Sequence, residues 1–445
     1  MTFDDLAAQV RGRVLLPGDD GFTASSKPFN ERYASVVPMA VLSAACAEDV
    51  VTAMTWAREN DVPLVARGGG HSYAGTSVNT GLVLDLRGLC DVQVDPSSGL
   101  VTVGGGTRMR ALYEALRPHD IAFPLGNSDE VAIGGLTLGG GVAAVSRAFG
   151  LTCDSLVSTD VVLADGSVVS CSASENLDLF WACRGGGGGN FGVNTSFTFL
   201  ARPVVDSATC LLLWEWEHAV DVLLVAQEVQ RTAPDALSLR IGLTSDRMVS
   251  VIGWHLGSAD ELRTLLAPLS RTRPFRCDIA DRTYWEAVEY VHHETAGGAF
   301  AGRTRTTSVP LPEEGVRTLV TAVDKWPGSS NPDGGGAALF GWGGAMNAIG
   351  ATETAFPHRD ALFLVSLDTS WMSSDSPQVV RDNLEWLTAL HEDIGEHTDN
   401  ASYLNFTDPD LPDWRQAYHG QNLARLAEVK RRYDPDRFFE FSQAI

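Results

Sequence analysis

The 445-residue sequence contains only three lysines, Lys27, Lys325 and Lys430, among its 33 basic residues. Aspartate and glutamate together number 56, so the formal net charge is −23. A net charge this negative argues against nucleic acid or an anionic membrane as a partner. Basic residues that are almost all arginine, together with abundant Ala and Gly, indicate a bacterial chain from a GC-rich genome.

The sequence also lacks a cysteine framework, a secretory leader and a membrane-length apolar run. Its seven cysteines are isolated, with no C-x-x-C pair and no zinc-type spacing. An odd number of single cysteines in a chain of this length predicts reduced thiols. The first residues, Met-Thr-Phe-Asp-Asp-Leu, form no apolar h-region, so we expect a soluble cytoplasmic protein. Its length and 44% hydrophobic content predict two well-packed domains.

Glycine is present in blocks, and the first block is Arg67-Gly-Gly-Gly-His71-Ser-Tyr73. It lies between two apolar runs, residues 62–66 and 81–86, that read as strands. Three successive glycines leave backbone N–H groups unshielded, so a phosphate could approach them closely. The alternative interpretation is a tight structural turn that happens to contain a histidine.

Two further glycine blocks follow. Residues 134–141 hold two glycine clusters before a run of small residues, which indicates either close approach to a large ligand or a packed helix–strand junction. Gly187, Gly189 and Gly192 match G-x-G-x-x-G, but residues 176–184 before them look helical and residues 193–199 after them look like a strand. A dinucleotide-binding fingerprint needs the reverse order, so we reject that interpretation.

Beyond about residue 204 the glycine blocks stop and strands alternate with helices. Runs such as residues 237–243 and 248–254 predict strands, and residues 219–231 and 258–269 predict helices. This pattern is typical of an antiparallel sheet covered by helices, an α+β fold. A final helix is predicted over residues 418–432.

Four motifs in this order resemble those of the berberine-bridge-enzyme-like flavin oxidases, within the vanillyl-alcohol oxidase and p-cresol methylhydroxylase (PCMH) fold group, and in particular its bacterial secondary-metabolism members. They are the Arg67–His71 loop, Gly150-Leu-Thr-Cys-Asp154, Gly189-Asn-Phe-Gly-Val193, and the tail with Tyr403-x-Asn405 and Tyr433-Asp-Pro-x-x-Phe-Phe439. The resemblance implies a PCMH-type FAD domain made of residues 1–203 and 401–445. It also implies a central substrate domain over residues 204–400.

The resemblance implies a single covalent bond from His71 to the 8α carbon of FAD. Bicovalent members have a second bond from a cysteine, and Ser128 occupies that position here. The expected cofactor-binding residues are His71, Arg67, Gly68, Gly69, Gly70, Ser72, Gly134, Gly135, Leu136, Gly139, Gly140, Gly141, Cys153, Asp154, Asn190, Gly192, Val193 and Asn405.

By motif position, Tyr403 and Tyr73 are the expected catalytic bases. A base removes a proton from a substrate O–H or N–H while hydride moves to flavin N5. Some members carry a carboxylate where this chain has Phe340, so that role is open. Acidic residues that remain as weaker alternatives are Glu286, Glu289, Glu353 and Asp368.

The expected protein is therefore an FAD-dependent oxidase that acts on a small natural-product intermediate (an alcohol, phenol, hydroquinone or amine, as in antibiotic biosynthesis) and reduces O₂ to H₂O₂. Alternatives are a sugar or amine oxidase of primary catabolism and a flavin-carrying protein that confers drug resistance by sequestration. We expect a monomer or homodimer. The run His292-His293-Glu294 lacks a third spaced ligand, so we expect no metal site. The tryptophans at 214, 216, 254, 342 and 371 are expected to divide between core and substrate pocket.

Overall fold

The computed structural model describes residues 2–292 and 295–445. The strands of the N-terminal part are β1 (Arg13–Leu15), β2 (Ala40–Ser43), β3 (Leu64–Arg67), β4 (Leu82–Asp85), β5 (Val92–Asp95), β6 (Leu100–Gly104), β7 (Ile121–Ala122), β8 (Leu156–Val162), β9 (Val168–Ser172), β10 (Val193–Leu200) and β11 (Arg202–Pro203). Its helices are α1 (Phe3–Ala7), α2 (Phe22–Ser26), α3 (Ala47–Glu59), α4 (Met109–Leu116), α5 (Ile133–Leu138), α6 (Ser146–Phe149) and α7 (Leu177–Ala182).

Two main sheets make up this N-terminal part. The first has the order β1-β2-β4-β3, with β2, β4 and β3 parallel and β1 antiparallel. Strand β4 is buried along its whole length, as its unbroken apolar run predicts. The second sheet, β5-β6-β10-β8-β9, is antiparallel throughout. The first glycine block leaves the end of β3 and therefore lies at the edge of the first sheet.

The central part contains β12 (Ser207–Glu215), β13 (Leu237–Thr244), β14 (Met248–His255), β15 (Arg276–Arg282), β16 (Ala299–Thr307), β17 (Gly335–Gly341) and β18 (Phe363–Trp371). Its helices are α8 (Ala219–Thr232), α9 (Ala259–Leu265), α10 (Ala267–Ser270), α11 (Tyr284–Tyr290), α12 (Glu313–Asp324) and α13 (Pro377–Asp393). The seven strands form one antiparallel sheet in the order β15-β12-β14-β13-β17-β18-β16. The predicted α+β class with an antiparallel, helix-covered sheet is confirmed.

The two faces of the central sheet differ because side chains alternate along each strand. On β13, Leu237, Leu239 and Ile241 are buried in a core that includes apolar residues of α8, α12 and α13. Ser238 and Arg240 point to the opposite face and line a cavity there, whereas α8, α12 and α13 pack on the first face. One face of the sheet is therefore structural, and the other is available to line a site.

The third glycine block follows helix α7 and precedes strand β10. This order confirms that its G-x-G-x-x-G match is not a dinucleotide-binding turn. The final predicted helix is interrupted. Helices α14 (Trp414–His419) and α15 (Leu423–Tyr433) are separated at Gly420, whose φ of +48° is incompatible with a continuous α-helix. Leu426 and Val429 of α15 are buried in the core of the N-terminal part, so the tail returns to it.

Most of the five tryptophans expected to divide between core and substrate pocket pack in the protein core. Trp214 and Trp342 are fully buried, and Trp371 lies in the core under the central helices. Trp254 is the one member of this set that also borders the large cavity described below. Within the described residues, no helix combines the length and apolar character that crossing a membrane requires.

Candidate functional site

A cavity of about 840 Å³ lies between the glycine blocks and the open face of the central sheet. Its walls come from separated parts of the chain: the loop after β3, the second and third glycine blocks, the strands β13, β17 and β18, and the tail around Tyr403. A volume of this size lies in the range of cofactor and small-molecule sites. The cavity therefore joins every glycine block with the face of the sheet that the helices leave open.

The loop after β3 presents a row of unused backbone donors to the cavity. The N–H groups of residues 69–73 donate to no acceptor in the described part of the chain. Their row begins beside Gly70, where φ is +81°, a conformation that glycine adopts without strain. Consecutive free N–H groups in such a turn form an anion-binding concavity. The loop is thus suited to a phosphate or pyrophosphate.

Glycines keep the opposite wall open. A Cβ at Gly135 would meet no atom within 4 Å, so it would project into free space at the cavity wall. At Gly69, by contrast, a Cβ would lie 2.6 Å from the carbonyl oxygen of Glu130, so here glycine permits close packing of the loop itself. The first glycine provides room for a ligand, and the second positions the donors.

His71 belongs to the loop after β3 and lines the cavity with an imidazole that makes no hydrogen bond to the described residues. Its ring stacks on Phe29 with centroids 3.9 Å apart and planes 18° apart. Neither ring nitrogen has a hydrogen-bond partner among the described residues. Burial, with a smaller contribution from Arg108, lowers the pKa of His71 to about 4. The imidazole is therefore neutral at physiological pH, with a nitrogen lone pair available for bonding.

Tyr403 faces the same cavity with an oxygen surrounded by donors. The backbone N–H groups of Gly141 and Val142 donate to its hydroxyl oxygen at 3.1 and 3.0 Å. The Asn405 side-chain amide donates to it as well, at 3.1 Å. Burial raises the pKa of Tyr403 to about 12, while these three bonds act in the opposite direction. A negative charge on this oxygen would be stabilised by all three donors.

The structure brings most of the predicted site residues to the cavity. The lining residues among them are Arg67, Gly68, Gly69, Gly70, His71, Ser72, Tyr73, Gly134, Gly135, Leu136, Asn190, Gly192, Val193, Tyr403 and Asn405. Only the backbone of Arg67 serves the wall, since its buried guanidinium binds Ser25, Ser26 and Asp85.

Five predicted residues lie behind the wall: Gly139, Gly140, Gly141, Cys153 and Asp154. A Cβ at Gly139 would overlap the Asn405 side chain, and Gly141 supplies a donor to Tyr403. Cys153 packs in an apolar cluster with Tyr403, and burial raises the pKa of its thiol. These residues support the wall without bordering the cavity.

Asp154 anchors that wall through a buried ion pair with Arg359. The two side chains are 5% and 2% exposed, and the guanidinium donates to both carboxylate oxygens at 2.8 and 2.7 Å. We expect Asp154→Ala to lower the free energy of unfolding by about 3–5 kcal/mol, because Arg359 would keep a buried, uncompensated charge. Urea denaturation measures this change. The control Glu228→Ala, which breaks a surface pair with Arg231, should leave stability unchanged.

The cavity also contains a charged group that the sequence analysis missed. Arg240 on β13 lines the cavity with its guanidinium 5.5 Å from the centre of the Phe340 ring. Asp368 on β18 and Tyr73 border the same space. Burial raises the pKa of Asp368 to about 6, although Arg240 acts to lower it. The two-residue alternation of β13 was the signal that could have identified Arg240, since it places this residue opposite the buried leucines.

Of the four weaker acidic candidates, Asp368 alone lines the cavity. Glu286 caps α11 through Thr283, Glu289 pairs with Arg117, and Glu353 accepts a bond from the backbone of Gly350. His292 lies 3.4 Å from Asp129, whereas His293 and Glu294 lie outside the described residues.

Comparisons with known proteins agree with this geometry. Residues 38–172 match an FAD-binding domain, and residues 402–445 match a domain described as berberine and berberine-like. The FAD-linked oxidoreductase YgaK of Bacillus subtilis is 32% identical over 98% of this chain and 97% of its own length. BBE-like 1 of Physcomitrella patens superposes with a TM-score of 0.91 at 25% identity, covering 100% of this chain and 99% of the other.

A further solved structure is the glucooligosaccharide oxidase of Acremonium strictum, which has a 6-S-cysteinyl, 8α-N1-histidyl FAD. It superposes with a TM-score of 0.90 at 26% identity, over 100% of this chain and 99% of its own. In the present chain, the free donors of residues 69–73 fit the pyrophosphate of FAD, and the open wall at Gly135 fits its bulk. The chain belongs to the berberine-bridge-enzyme-like family of FAD-linked oxidoreductases.

Proposed function

We propose that this protein is an oxidase with one covalent bond to FAD, through His71, that oxidises a small organic molecule and reduces O₂ to H₂O₂. The substrate class is an alcohol, phenol, hydroquinone or amine, as found among natural-product intermediates. The observation that carries the proposal is the Tyr403 oxygen, which accepts three hydrogen bonds at the wall of a cavity that also holds His71. We further propose a cytoplasmic monomer or homodimer.

The residues that would hold FAD divide into three groups. The N–H groups of residues 69–73 would bind the pyrophosphate, the neutral imidazole of His71 would provide the nitrogen for the covalent bond, and Asn405 would contact the ring system. When bound, the flavin accepts the two electrons that leave the substrate. The protein contributes orientation, exclusion of water and a place for the substrate proton.

Tyr403 is the group that we assign to proton removal. As a phenolate it would accept the proton of a substrate hydroxyl or amino group, with its charge stabilised by Gly141, Val142 and Asn405. Tyr73 is less suited to this role because no donor among the described residues reaches its hydroxyl, and burial and the neighbouring Asp368 both raise its pKa. Its ring stacks on Phe406, with centroids 5.0 Å apart, and so shapes the substrate space.

The position of Ser128 gives a direct test of the covalent assignment. Ser128 lines the cavity together with His71 but offers a hydroxyl in place of a thiol. We expect the thiol of Ser128→Cys to form a second flavin bond, with loss of the thiol hydrogen and one ring hydrogen to O₂, which leaves as H₂O₂. His71→Ala/Ser128→Cys should then retain covalent flavin when His71→Ala alone does not. Acid precipitation followed by absorbance of the pellet measures attachment. A colourless pellet from the double variant would contradict the assignment of Ser128 to the position of the second flavin-linking residue.

The proposed activity is tested by screening small molecules against the holoenzyme without oxygen. An oxidase substrate should bleach the yellow flavin, and admission of air should restore the colour with release of H₂O₂. A sequestration protein would bind its ligand and leave the oxidised spectrum unbleached, which would contradict the proposal. The screen should include oligosaccharides, since the similarity to glucooligosaccharide oxidase favours sugar oxidation as the second candidate.

A further inference from the structure

Two opposite charges face each other across the open face of the central sheet. Arg240 stands on β13 and Asp368 on β18, with β17 between them. Arg240 pairs with Phe340 of β17. Asp368 pairs with Gly336, which precedes Phe340 by four residues on the same strand. Strand spacing and rise place their Cα atoms roughly 16 Å apart.

The charges do not meet. No ion pair or hydrogen bond joins Arg240 to Asp368, and the guanidinium of Arg240 donates to no acceptor in residues 2–292 and 295–445. Its contact within the protein is the face of Phe340. Burial lowers the pKa of Arg240, while the nearby Asp368 and Tyr73 act to raise it. Arg240 is half-buried, and a guanidinium withdrawn from water without an anionic partner is costly unless a ligand supplies one.

The floor between the two charges is built from small side chains. Gly242 of β13, Ala338 of β17 and Ser366 of β18 share one row across the sheet, and all three line the cavity. Nothing larger than a serine therefore rises between Arg240 and Asp368 along that row. The rings of Tyr73 and Phe340 stand beside the gap. Its shape suits a flat molecule whose polar groups lie at its two ends.

We propose that Arg240 and Asp368 select a bipolar substrate, with a carboxylate or other acidic group bound by Arg240 and an amino or hydroxyl group bound by Asp368. This proposal rests on the oxidase function above and names the class of substrate that the same cavity takes. Arg240 donates charge-assisted hydrogen bonds to the acidic group, and Asp368 accepts one from the opposite end. Tyr403 remains the proton acceptor.

Binding of a simple probe set to the holoenzyme tests the Arg240 half. The probes are benzoate and benzamide, which differ in charge and little in shape, and binding is measured by titration calorimetry. We expect wild-type protein to bind benzoate at least about tenfold more tightly than benzamide. Arg240→Gln should abolish this preference without weakening benzamide, and Arg240→Lys should restore part of it. The control Arg247→Gln, on an exposed arginine outside the cavity, should behave as wild type.

The Asp368 half is tested with 4-(aminomethyl)benzoate against 4-methylbenzoate. The groups that face Asp368 are Arg240, Tyr73 and Asp333, and its pKa of about 6 means that it ionises as pH rises through that value. The preference for the aminomethyl probe should therefore increase from pH 5 to pH 8. Asp368→Asn should remove both the preference and its dependence on pH.

Equal affinity of wild-type protein for benzoate and benzamide would overturn the proposal, as would an unchanged benzoate preference in Arg240→Gln. Failure of the oxidase function is recognised separately. Chemically reduced holoenzyme is exposed to air, and H₂O₂ release is measured with no substrate present. Peroxide without a carboxylate preference would refute the bipolar substrate alone, whereas a carboxylate preference without peroxide would refute the oxidase function alone.

Discussion

His71→Ala should lose all covalently attached flavin. In the native protein the imidazole is neutral because burial lowers its pKa to about 4, and neither nitrogen is hydrogen-bonded to residues 2–292 or 295–445. Removal of the ring takes away the only side chain that we assign to the bond. The N–H groups of residues 69–73 belong to the backbone and stay in place, so FAD should still bind without a covalent link.

Acid precipitation distinguishes these states. The wild-type pellet should be yellow, and the His71→Ala pellet colourless with all flavin in the supernatant. The control Ser72→Ala removes only a hydroxyl that bonds to Thr76, and its pellet should remain yellow. Retention of covalent flavin by His71→Ala would refute His71 as the attachment site.

Tyr403→Phe should slow flavin reduction by about 10²–10⁴-fold, the range that general-base catalysis contributes. The variant keeps the aromatic ring, which packs between Trp342 and Phe406, and loses only the oxygen that three donors surround. Anaerobic stopped-flow absorbance with the substrate found by the screen measures the rate. Covalent flavin content should stay at the wild-type level, because His71 is untouched.

Tyr73→Phe provides the matched comparison. Its hydroxyl receives no hydrogen bond from the part of the chain that the structure describes and lies near Asp368, which disfavours a phenolate there. We therefore expect a loss of less than about tenfold, the size of one ordinary hydrogen bond. A larger loss in Tyr73→Phe than in Tyr403→Phe would reverse the assignment of the base. In wild type the rate should rise toward alkaline pH, since burial raises the pKa of Tyr403 and its phenolate is the reactive form.

Much of the fold follows from local sequence signals. Alternation along residues 237–243 and 248–254 predicts two strands, and β13 and β14 occupy these stretches and pair with each other. The helix before the third glycine block and the strand after it are also readable, because their apolar periods differ. The break at Gly420 was missed because a single glycine within an amphipathic pattern does not by itself reveal a positive φ.

The site was only partly predictable, for a physical reason. His71 and its neighbours stand in one continuous loop, so their proximity is local. Arg240 and Asp368 face one cavity only because β13, β17 and β18 lie in that order in the sheet. Strand order is set by tertiary packing over more than 100 residues of chain, and no local pattern encodes it. Asp368 was consequently indistinguishable from acids such as Glu286, which caps a helix.

Tertiary packing also decides which residues line the cavity and which only support its wall. Gly139 and Asp154 belong to one glycine-rich stretch with Gly134 and Gly135, and the sequence treats them alike. In the structure Gly135 borders the cavity, whereas Gly139 makes room for Asn405 and Asp154 binds Arg359. Whether a residue touches the ligand or holds the residue that does depends on packing partners far away in the chain.

The central claim is that the loop after β3 holds the flavin through His71, and peptide mass spectrometry tests it most directly. Trypsin cleaves after Arg67 and Arg87, so it releases residues 68–87 as one peptide that contains His71. We predict that this peptide carries the added mass of FAD, with fragmentation placing it on His71. An unmodified 68–87 peptide from yellow, acid-precipitated protein, or FAD on any other peptide, would contradict the account.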